Sequence, residues 1–469
     1  MKIQPIKFGT DGWRAIIADD YTVENVARVA TATALWLKKN FKEPRAVVGH
    51  DCRFGGPLFA ETTARVLCAH GVHVLLAEGF VSTPMVSMAC KTYRAGMGVV
   101  ITASHNPASY NGYKLKSKDG GPSDPAIVQE VENLIPEQAT LPEQTVDDYE
   151  NSALLEYIDA EADYVLNVKQ HFDLEAINNA SFTLAYDAMF GAGQRVIPQI
   201  IPAPILLHCV ENPGFMGQAP EPLHKNLGEL SSLIRNGEGQ VVGLATDGDA
   251  DRIGMYDEDG HFVDAHHILL LLIHYLSQYK KMSGKVVIAF SVSEKIKKMC
   301  VQYGIPVEVT KIGFKYISSK MVTEDVLVGG EESGGIAVKG HIPERDGIWD
   351  GLVLLEFMAK TGKTLKQLIQ EVDALVGAFC FDRLDLHLPE EQKQKIIARC
   401  QGEGFSSFGS FGVQRTETID GFKYHLSEDE WVMIRASGTE PLLRIYAEAP
   451  TKEEVTRILQ TVKKTVLAV

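Results

Sequence analysis

A chain of 469 residues, 45% hydrophobic and 23% charged, can hold three or four packed domains of ~100–200 residues each without covalent staples. Its formal charge of -15 argues against general affinity for nucleic acid or an anionic membrane surface, since both would repel it. Seven scattered cysteines without a C-x-x-C pair, a start without an apolar signal core and no apolar run of ~18 residues point to reduced thiols in the cytoplasm.

In chain order, Phe8-Gly9-Thr10-Asp11-Gly12-Trp13-Arg14 is a glycine-bracketed turn ending in a cation. Thr22 is placed to cap a helix over 23–41, whose Val23, Val26, Ala27, Ala30, Ala34 and Leu37 form one apolar stripe. Strands are expected over 45–50 and 72–77, and helices over 58–70 and 84–93. This βαβα order leads into a buried strand over 97–101 and predicts a mostly parallel sheet covered on both faces. Thr102-Ala103-Ser104-His105-Asn106-Pro107 follows. The Asn-Pro step forbids continuation, so the Ser104 hydroxyl is presented on a loop at a strand's C-terminal end, where open α/β sheets hold their chemistry. Taken alone, the segment also reads as a capped polar turn.

A polar, proline-rich stretch over 119–150 is read as a boundary. Beyond it come a strand over 182–187, a tight turn at Met189-Phe190-Gly191-Ala192-Gly193 opening a helix, and a strand over 241–246 running into Asp247-Gly248-Asp249-Ala250-Asp251-Arg252. Three carboxylates so close repel unless the chain bends them around a hard cation such as Mg²⁺; a solvated acidic turn is the alternative. The spacing is not that of an EF-hand. A third unit of alternating helices and strands ends in Gly329-Gly330-Glu331-Glu332-Ser333-Gly334-Gly335. Gly362-Lys363-Thr364 lacks the first glycine of a phosphate-binding P-loop and is assigned to a helix terminus. The last unit alternates helices over 390–399 and 452–466 with four strands, an α+β layer. Within it, Arg435-Ala436-Ser437-Gly438-Thr439-Glu440-Pro441 has the composition of a phosphate cradle, with Arg444 as a second cation. The expected domains are 1–145, 146–255, 256–375 and 376–469.

Four of these segments, T-A-S-H-N-P, D-G-D-A-D-R, G-E-E-S-G-G and R-A-S-G-T-E-P, resemble in the same order the motifs of the α-D-phosphohexomutase family, which includes phosphoglucomutases and phosphomannomutases. The resemblance implies three related mixed α/β domains and a mobile C-terminal α+β domain around a central active-site cleft. It implies Ser104 as the phosphorylated serine, with Ser104, Asp247, Asp249 and Asp251 holding Mg²⁺, because a phosphoserine facing three aspartates needs a divalent ion between them. His105 and Lys114 would serve proton transfer and phosphate contact, and Arg14 and Arg252 would face the phosphoserine and sugar. Glu331 and Ser333 would bind sugar hydroxyls, and Arg435, Ser437, Gly438, Thr439 and Arg444 the distal phosphate. Hexose phosphates are the expected substrates and a hexose 1,6-bisphosphate the primer and intermediate, in a monomer or homodimer.

One departure bears on the sugar. Phosphomannomutase and phosphoglucosamine mutase branches commonly read G-E-x-S-G-H, whereas Gly335 stands in the final place here. His341 in Gly340-His341-Ile342-Pro343-Glu344-Arg345-Asp346-Gly347 resembles the H-I-x-E-K-D-G run of phosphoglucomutases and is expected to take over, with Arg345 in the lysine position. Gly313-Phe314-Lys315 resembles their G-W-K pattern and places Gly313 and Lys315 near the sugar. Glucose is therefore expected first, mannose next and glucosamine last, while a phosphatase or a non-catalytic sugar-phosphate sensor are readings from other classes.

Overall fold

A computed structural model describes residues 5–9, 11–436 and 442–468. Its contacts divide the chain into two units, one of residues up to Gly284 with Gly313–Leu368, the other of Lys285–Ile312 with the residues from Ile369 onward.

The first unit opens with β1 (Trp13–Ile16), α1 (Val23–Asn40), β2 (Arg45–His50), α2 (Gly56–Ala69), β3 (His73–Ala77), α3 (Thr83–Thr92), β4 (Met97–Ile101) and β5 (Tyr110–Ser117). Next come α4 (Pro125–Asn133), α5 (Val146–Asn151) and β6 (Leu155–Ile158). The sheet runs β1-β5-β4-β2-β3-β6. β4, β2, β3 and β6 pair in parallel, and β5 pairs antiparallel with both β4 and β1. Thr22 Oγ1 caps α1 by accepting from the Asn25 N–H at 3.2 Å, and the expected stripe is buried at Val26, Ala27, Ala30, Ala34 and Leu37. All five β4 residues are buried, as a continuous apolar run demands of an interior strand covered on both faces.

The stretch over 119–150 is not a linker. Its acids serve as acceptors: Glu130 takes the Trp36 indole N–H at 2.8 Å and Glu132 the Phe8 N–H at 2.7 Å, so α4 packs on the first sheet's core through Val131. β6, placed beyond the expected boundary at 145, pairs with β3 and completes the first sheet.

The next layer contains α6 (Ala160–His171), α7 (Leu174–Asn178), β7 (Phe182–Asp187), α8 (Ile197–Ile200), β8 (Ile205–Leu207), α9 (Gly228–Asn236), β9 (Gln240–Thr246), β10 (Ile253–Tyr256) and β11 (Phe262–Val263). Its sheet runs β11-β10-β9-β7-β8. The helix expected after Met189–Gly193 is reduced to turns and the four-residue α8. Met189 and Phe190 have φ of 48° and 60°, outside helical geometry, and Pro202 and Pro204 prevent extension.

Then follow α10 (Ala265–His274), β12 (Lys285–Ala289), α11 (Glu294–Tyr303), β13 (Val307–Thr310), α12 (Phe314–Thr323), β14 (Val326–Gly330), β15 (Ile336–Val338), α13 (Gly347–Thr361) and α14 (Leu365–Val376). Gly362 ends α13 in the left-handed region at φ 67°, as the helix-terminus reading requires. In the first unit β14 pairs antiparallel with β15.

The second unit pairs β12 with β13 in parallel. It adds β16 (Cys380–His387), α15 (Glu390–Gln401), β17 (Ser407–Phe408), β18 (Phe411–Gly412), β19 (Arg415–Glu417), β20 (Phe422–His425), β21 (Trp431–Ala436), β22 (Leu442–Ala449) and α16 (Lys452–Leu467). β16-β22-β21-β20-β19 form an antiparallel sheet under the apolar faces of α15 and α16, the α+β layer expected. Phe290, Val309 and Ile312 pack with Trp431, Met433 and Tyr446, which is why 285–312 groups with the C-terminal layer rather than with the rest of 256–375.

Candidate active site

The serine loop is held from beneath. Ser104 has φ 52°, an uncommon left-handed conformation for a residue with a Cβ, and such strain persists only where the surroundings enforce it. The buried Arg53 guanidinium supplies the enforcement. Its Nη2 donates to the carbonyls of Ser104 and Asn106, both at 2.6 Å, and its Nη1 to those of Pro107 and Tyr110 at 2.9 and 3.1 Å. Asp51 sits 3.4 Å from Arg53 Nε and accepts from the Thr102 hydroxyl, whose oxygen accepts from the Ser104 N–H at 2.9 Å. Burial raises the Asp51 carboxyl to about 6 despite Arg53.

Ser104 Oγ lies 2.8 Å from Asp247 Oδ2 and 3.2 Å from His105 Nδ1. The hydroxyl has one proton, so when it donates to Asp247 it can only accept from the ring. Burial, then the charges of Arg252, Arg14, Lys114 and Arg53, hold His105 well below the usual imidazole range, and the ring is neutral at pH 7.

The three aspartates do converge. Ala250 bends the loop at φ 56°, and one carboxylate oxygen from each of Asp247, Asp249 and Asp251 lies within 4.8 Å of the others, all buried. Asp247 Oδ1 accepts the N–H groups of Asp251 and Arg252 at 2.9 and 3.0 Å. Asp249 Oδ2 accepts from Thr83 and from Lys114 Nζ, the latter at 2.8 Å. Asp251 Oδ2 is reached by Lys114 at 3.0 Å and by Arg345 at 2.8 Å. The remaining Oδ1 atoms of Asp249 and Asp251 are buried with no hydrogen-bond partner among the described residues. Burial and repulsion from Asp251 and Asp249 push the Asp247 carboxyl well up. Unpartnered hard oxygens on clustered carboxylates fit a divalent cation such as Mg²⁺.

Tight backbone contacts lock the loops together. A Cβ on Gly248 would lie 2.5 Å from Ser104 O, so glycine alone lets the serine and metal loops touch. Ala250 O accepts from the Gly347 N–H at 3.1 Å, and Gly334 O from the Ile253 N–H at 3.0 Å, which joins the Glu331 loop and the start of α13 to the metal loop.

Lys114 stands on β5 opposite Val100 of β4 and is buried, 2.8 Å from Asp11 and Asp249. Burial opposes its charge, but Asp11, Asp249 and Asp251 outweigh it and hold the ammonium protonated. Arg14 donates to Asn106 Oδ1 at 2.7 Å, and Arg252 lies 3.1 Å from Glu221. Glu331 Oε1 accepts the Gly313 N–H at 2.8 Å, and burial with Glu332 nearby raises its carboxyl to about 7. Ser333 is half-buried on the same loop. Lys315 lines a polar pocket of about 170 Å³ with Asp11, Ser123 and Gln129.

Two expectations need correction. His341 does not take over for the missing histidine: its ring stacks on Trp349 at 3.7 Å and its Nε2 lies 2.9 Å from Asp346, so it braces the cap of α13. Arg345 is committed to carboxylates rather than to a sugar, with Nη2 2.8 Å from both Asp11 and Asp251. In the second unit Arg435 and Arg444 face each other across β21 and β22, like charges that an anion would relieve. Arg435 lies 3.3 Å from Asp420 and Arg444 3.9 Å from Asp385. Ser437, Gly438 and Thr439 lie outside the described residues. Sequence reasoning missed Asp11, Asp51, Arg53 and Thr83; only the acid and arginine flanking Cys52 hinted at a buried pair.

Profiles of the four phosphoglucomutase/phosphomannomutase domains match in order: α/β/α domain I at residues 5–141, domain II at 162–260, domain III at 264–375 and the C-terminal domain at 382–465. A phosphoglucosamine mutase of Methanococcus maripaludis is 32% identical over 466 residues, 97% of each chain. A phosphoglucomutase/phosphomannomutase of Thermococcus kodakarensis is 28% identical, over 97% of this chain and 96% of its own. A crystal structure described as a phosphomannomutase from Thermus thermophilus superposes with a TM-score of 0.88 at 34% identity over 99% of both chains. Fold and relatives together define an intramolecular phosphotransferase of the phosphosugar mutase class. The chain belongs to the α-D-phosphohexomutase family.

Proposed function

We propose that the protein interconverts hexose 1-phosphate and hexose 6-phosphate by passing a phosphoryl group through Ser104, with a hexose 1,6-bisphosphate as intermediate. The observation that carries this reading is Ser104 Oγ held 2.8 Å from a buried aspartate of a three-carboxylate cluster that retains unpartnered oxygens. In the first half-reaction the phosphorus–Ser104 oxygen bond breaks as the free sugar hydroxyl bonds to phosphorus. Neutral His105 is placed to take the sugar hydroxyl's proton and return it to the departing Ser104 oxygen, 3.2 Å from its Nδ1, while protonated Lys114 suits contact with the phosphoryl oxygens. The bisphosphate then turns end for end and its other phosphate returns to Ser104. Asp247, Asp249 and Asp251 would hold Mg²⁺, which supplies neutralisation of phosphoryl charge. Glu331 and Ser333 offer acceptors and donors for sugar hydroxyls, and Arg435 and Arg444 a pair of cations for the distal phosphate.

Glucose is the first-choice sugar, on the motif pattern around Gly313, Lys315 and Gly335. Glucosamine is the second reading, because relatives 31–32% identical over nearly the whole chain are named phosphoglucosamine mutases. Rates on glucose, mannose and glucosamine 1-phosphates, measured side by side with Mg²⁺ and a trace of bisphosphate, decide it: the largest kcat/KM should be for glucose. Free phosphate release outpacing isomerisation would instead identify a phosphatase.

A further inference from the structure

Beside the three aspartates lies a second charged cluster of Asp11, Lys114 and Arg345, in which the reaction as proposed gives a task to Lys114 alone. Asp11, the only acid of the Phe8–Arg14 turn, has one oxygen 2.8 Å from both Lys114 Nζ and Arg345 Nη2. The same two cations reach the metal loop, Lys114 at Asp249 and Asp251 and Arg345 at Asp251. Each cation is thus shared between Asp11 and the oxygens of the metal loop that turn away from the unpartnered pair. Arg345 reaches this position over Gly335, where a Cβ would fall 2.5 Å from its Cδ and 3.2 Å from its Cγ, and its guanidinium lies 5.3 Å from the Phe314 ring centre. Gly335 has no positive φ; what demands glycine there is the arginine. The missing histidine and the arginine in the lysine position are therefore one change.

We infer that Asp11, Arg345 and Gly335 are positioning residues that set the charge against which the divalent ion binds: Arg345 serves as a built-in counter-cation for Asp251, Asp11 limits its strength, and Gly335 gives it room. The inference rests on the proposed metal role of the three aspartates. Its signature is a pair of opposite signs. Removing Arg345 leaves the part-buried Asp11 and the buried Asp251 with less compensation, which destabilises the metal-free protein and makes a divalent ion more welcome. Removing the Asp11 charge leaves the cations in excess and makes the ion less welcome. General damage to the fold does not produce effects of opposite sign.

The test is direct titration of the full chain with Mg²⁺ at pH 8 by calorimetry, without substrate, together with the melting temperature in chelator and in saturating Mg²⁺. Arg345→Met should melt lower in chelator, gain more from Mg²⁺ than the parent, and bind it about tenfold tighter. Asp11→Asn should bind it about tenfold more weakly. Gly335→Ala should behave as Arg345→Met, the double variant should be no more extreme than either, and Arg345→Lys should revert part of the change. Asp247→Asn is the reference. If it abolishes binding while Arg345→Met and Asp11→Asn leave affinity unchanged or shift it in the same direction, the inference is overturned and the metal site stands. If Asp247→Asn leaves binding intact, the metal site is wrong and the inference falls with it.

Discussion

Glu331 carries a pH dependence that bears directly on the proposed site. Its carboxyl is raised from 4.5 to about 7 by burial and by Glu332, so between those values the folded chain holds a proton that the unfolded chain releases. The stability it contributes therefore falls as pH rises through that window. In its proposed role as an acceptor for sugar hydroxyls, Glu331 is competent in the opposite, ionised state. We expect kcat/KM to rise about tenfold between pH 6 and 8, as a group titrating near 7 requires, and Glu331→Gln to flatten that rise while lowering the plateau. A profile unchanged by the substitution would separate Glu331 from substrate binding. At this scale the sequence showed Ser104 and the aspartates through their loops and spacing. It did not show the roles of Asp11 or Arg53, because the cations that meet Asp11 and the carbonyls that Arg53 binds lie far along the chain and leave no local pattern.

Among the elements, the loop after β4 depends on Arg53, whose guanidinium satisfies four carbonyls. Arg53→Met strands those carbonyls and leaves Asp51 buried without its partner. Breaking a buried pair from one side costs about 3–5 kcal/mol, so denaturant melts should show a loss of that order together with a large fall in activity. A variant of unchanged stability would mean that Ser104 holds its φ of 52° without help. Gly248→Ala should act on the joint between loops: with a Cβ 2.5 Å from Ser104 O, it is expected to lower kcat more than it raises KM for hexose phosphate. Equal activity would show that the two loops need not touch. Periodicity revealed α1, β4 and the C-terminal helices because each has a strong apolar face. α4 was hidden by acids whose acceptor roles are tertiary, and β5 by the buried Lys114 and Lys116, which interrupt an apolar strand pattern and pair with carboxylates from other loops.

On the scale of the whole molecule, a net charge of -15 is compatible with anionic substrates because cations stand where the proposed chemistry needs them: Arg14, Lys114 and Arg252 around the serine and metal loops, Arg435 and Arg444 on one pair of strands. Three α/β/α domain families and a C-terminal one follow in chain order, in keeping with the expected fold class, while contacts group residues 285–312 with the C-terminal layer. The apolar packing of Phe290 and Ile312 against Trp431 and Tyr446 could not be read from motif order. The central claim is that Ser104 carries the phosphoryl group. Protein phosphorylated with glucose 1,6-bisphosphate, freed of excess sugar and mixed with glucose 1-phosphate and Mg²⁺ in a rapid-quench apparatus, should show by mass spectrometry one phosphoryl group leaving Ser104 at the rate bisphosphate forms. Phosphate found on another residue, or labelled phosphate that stays on Ser104 and never enters the sugar while isomerisation proceeds, would contradict the account.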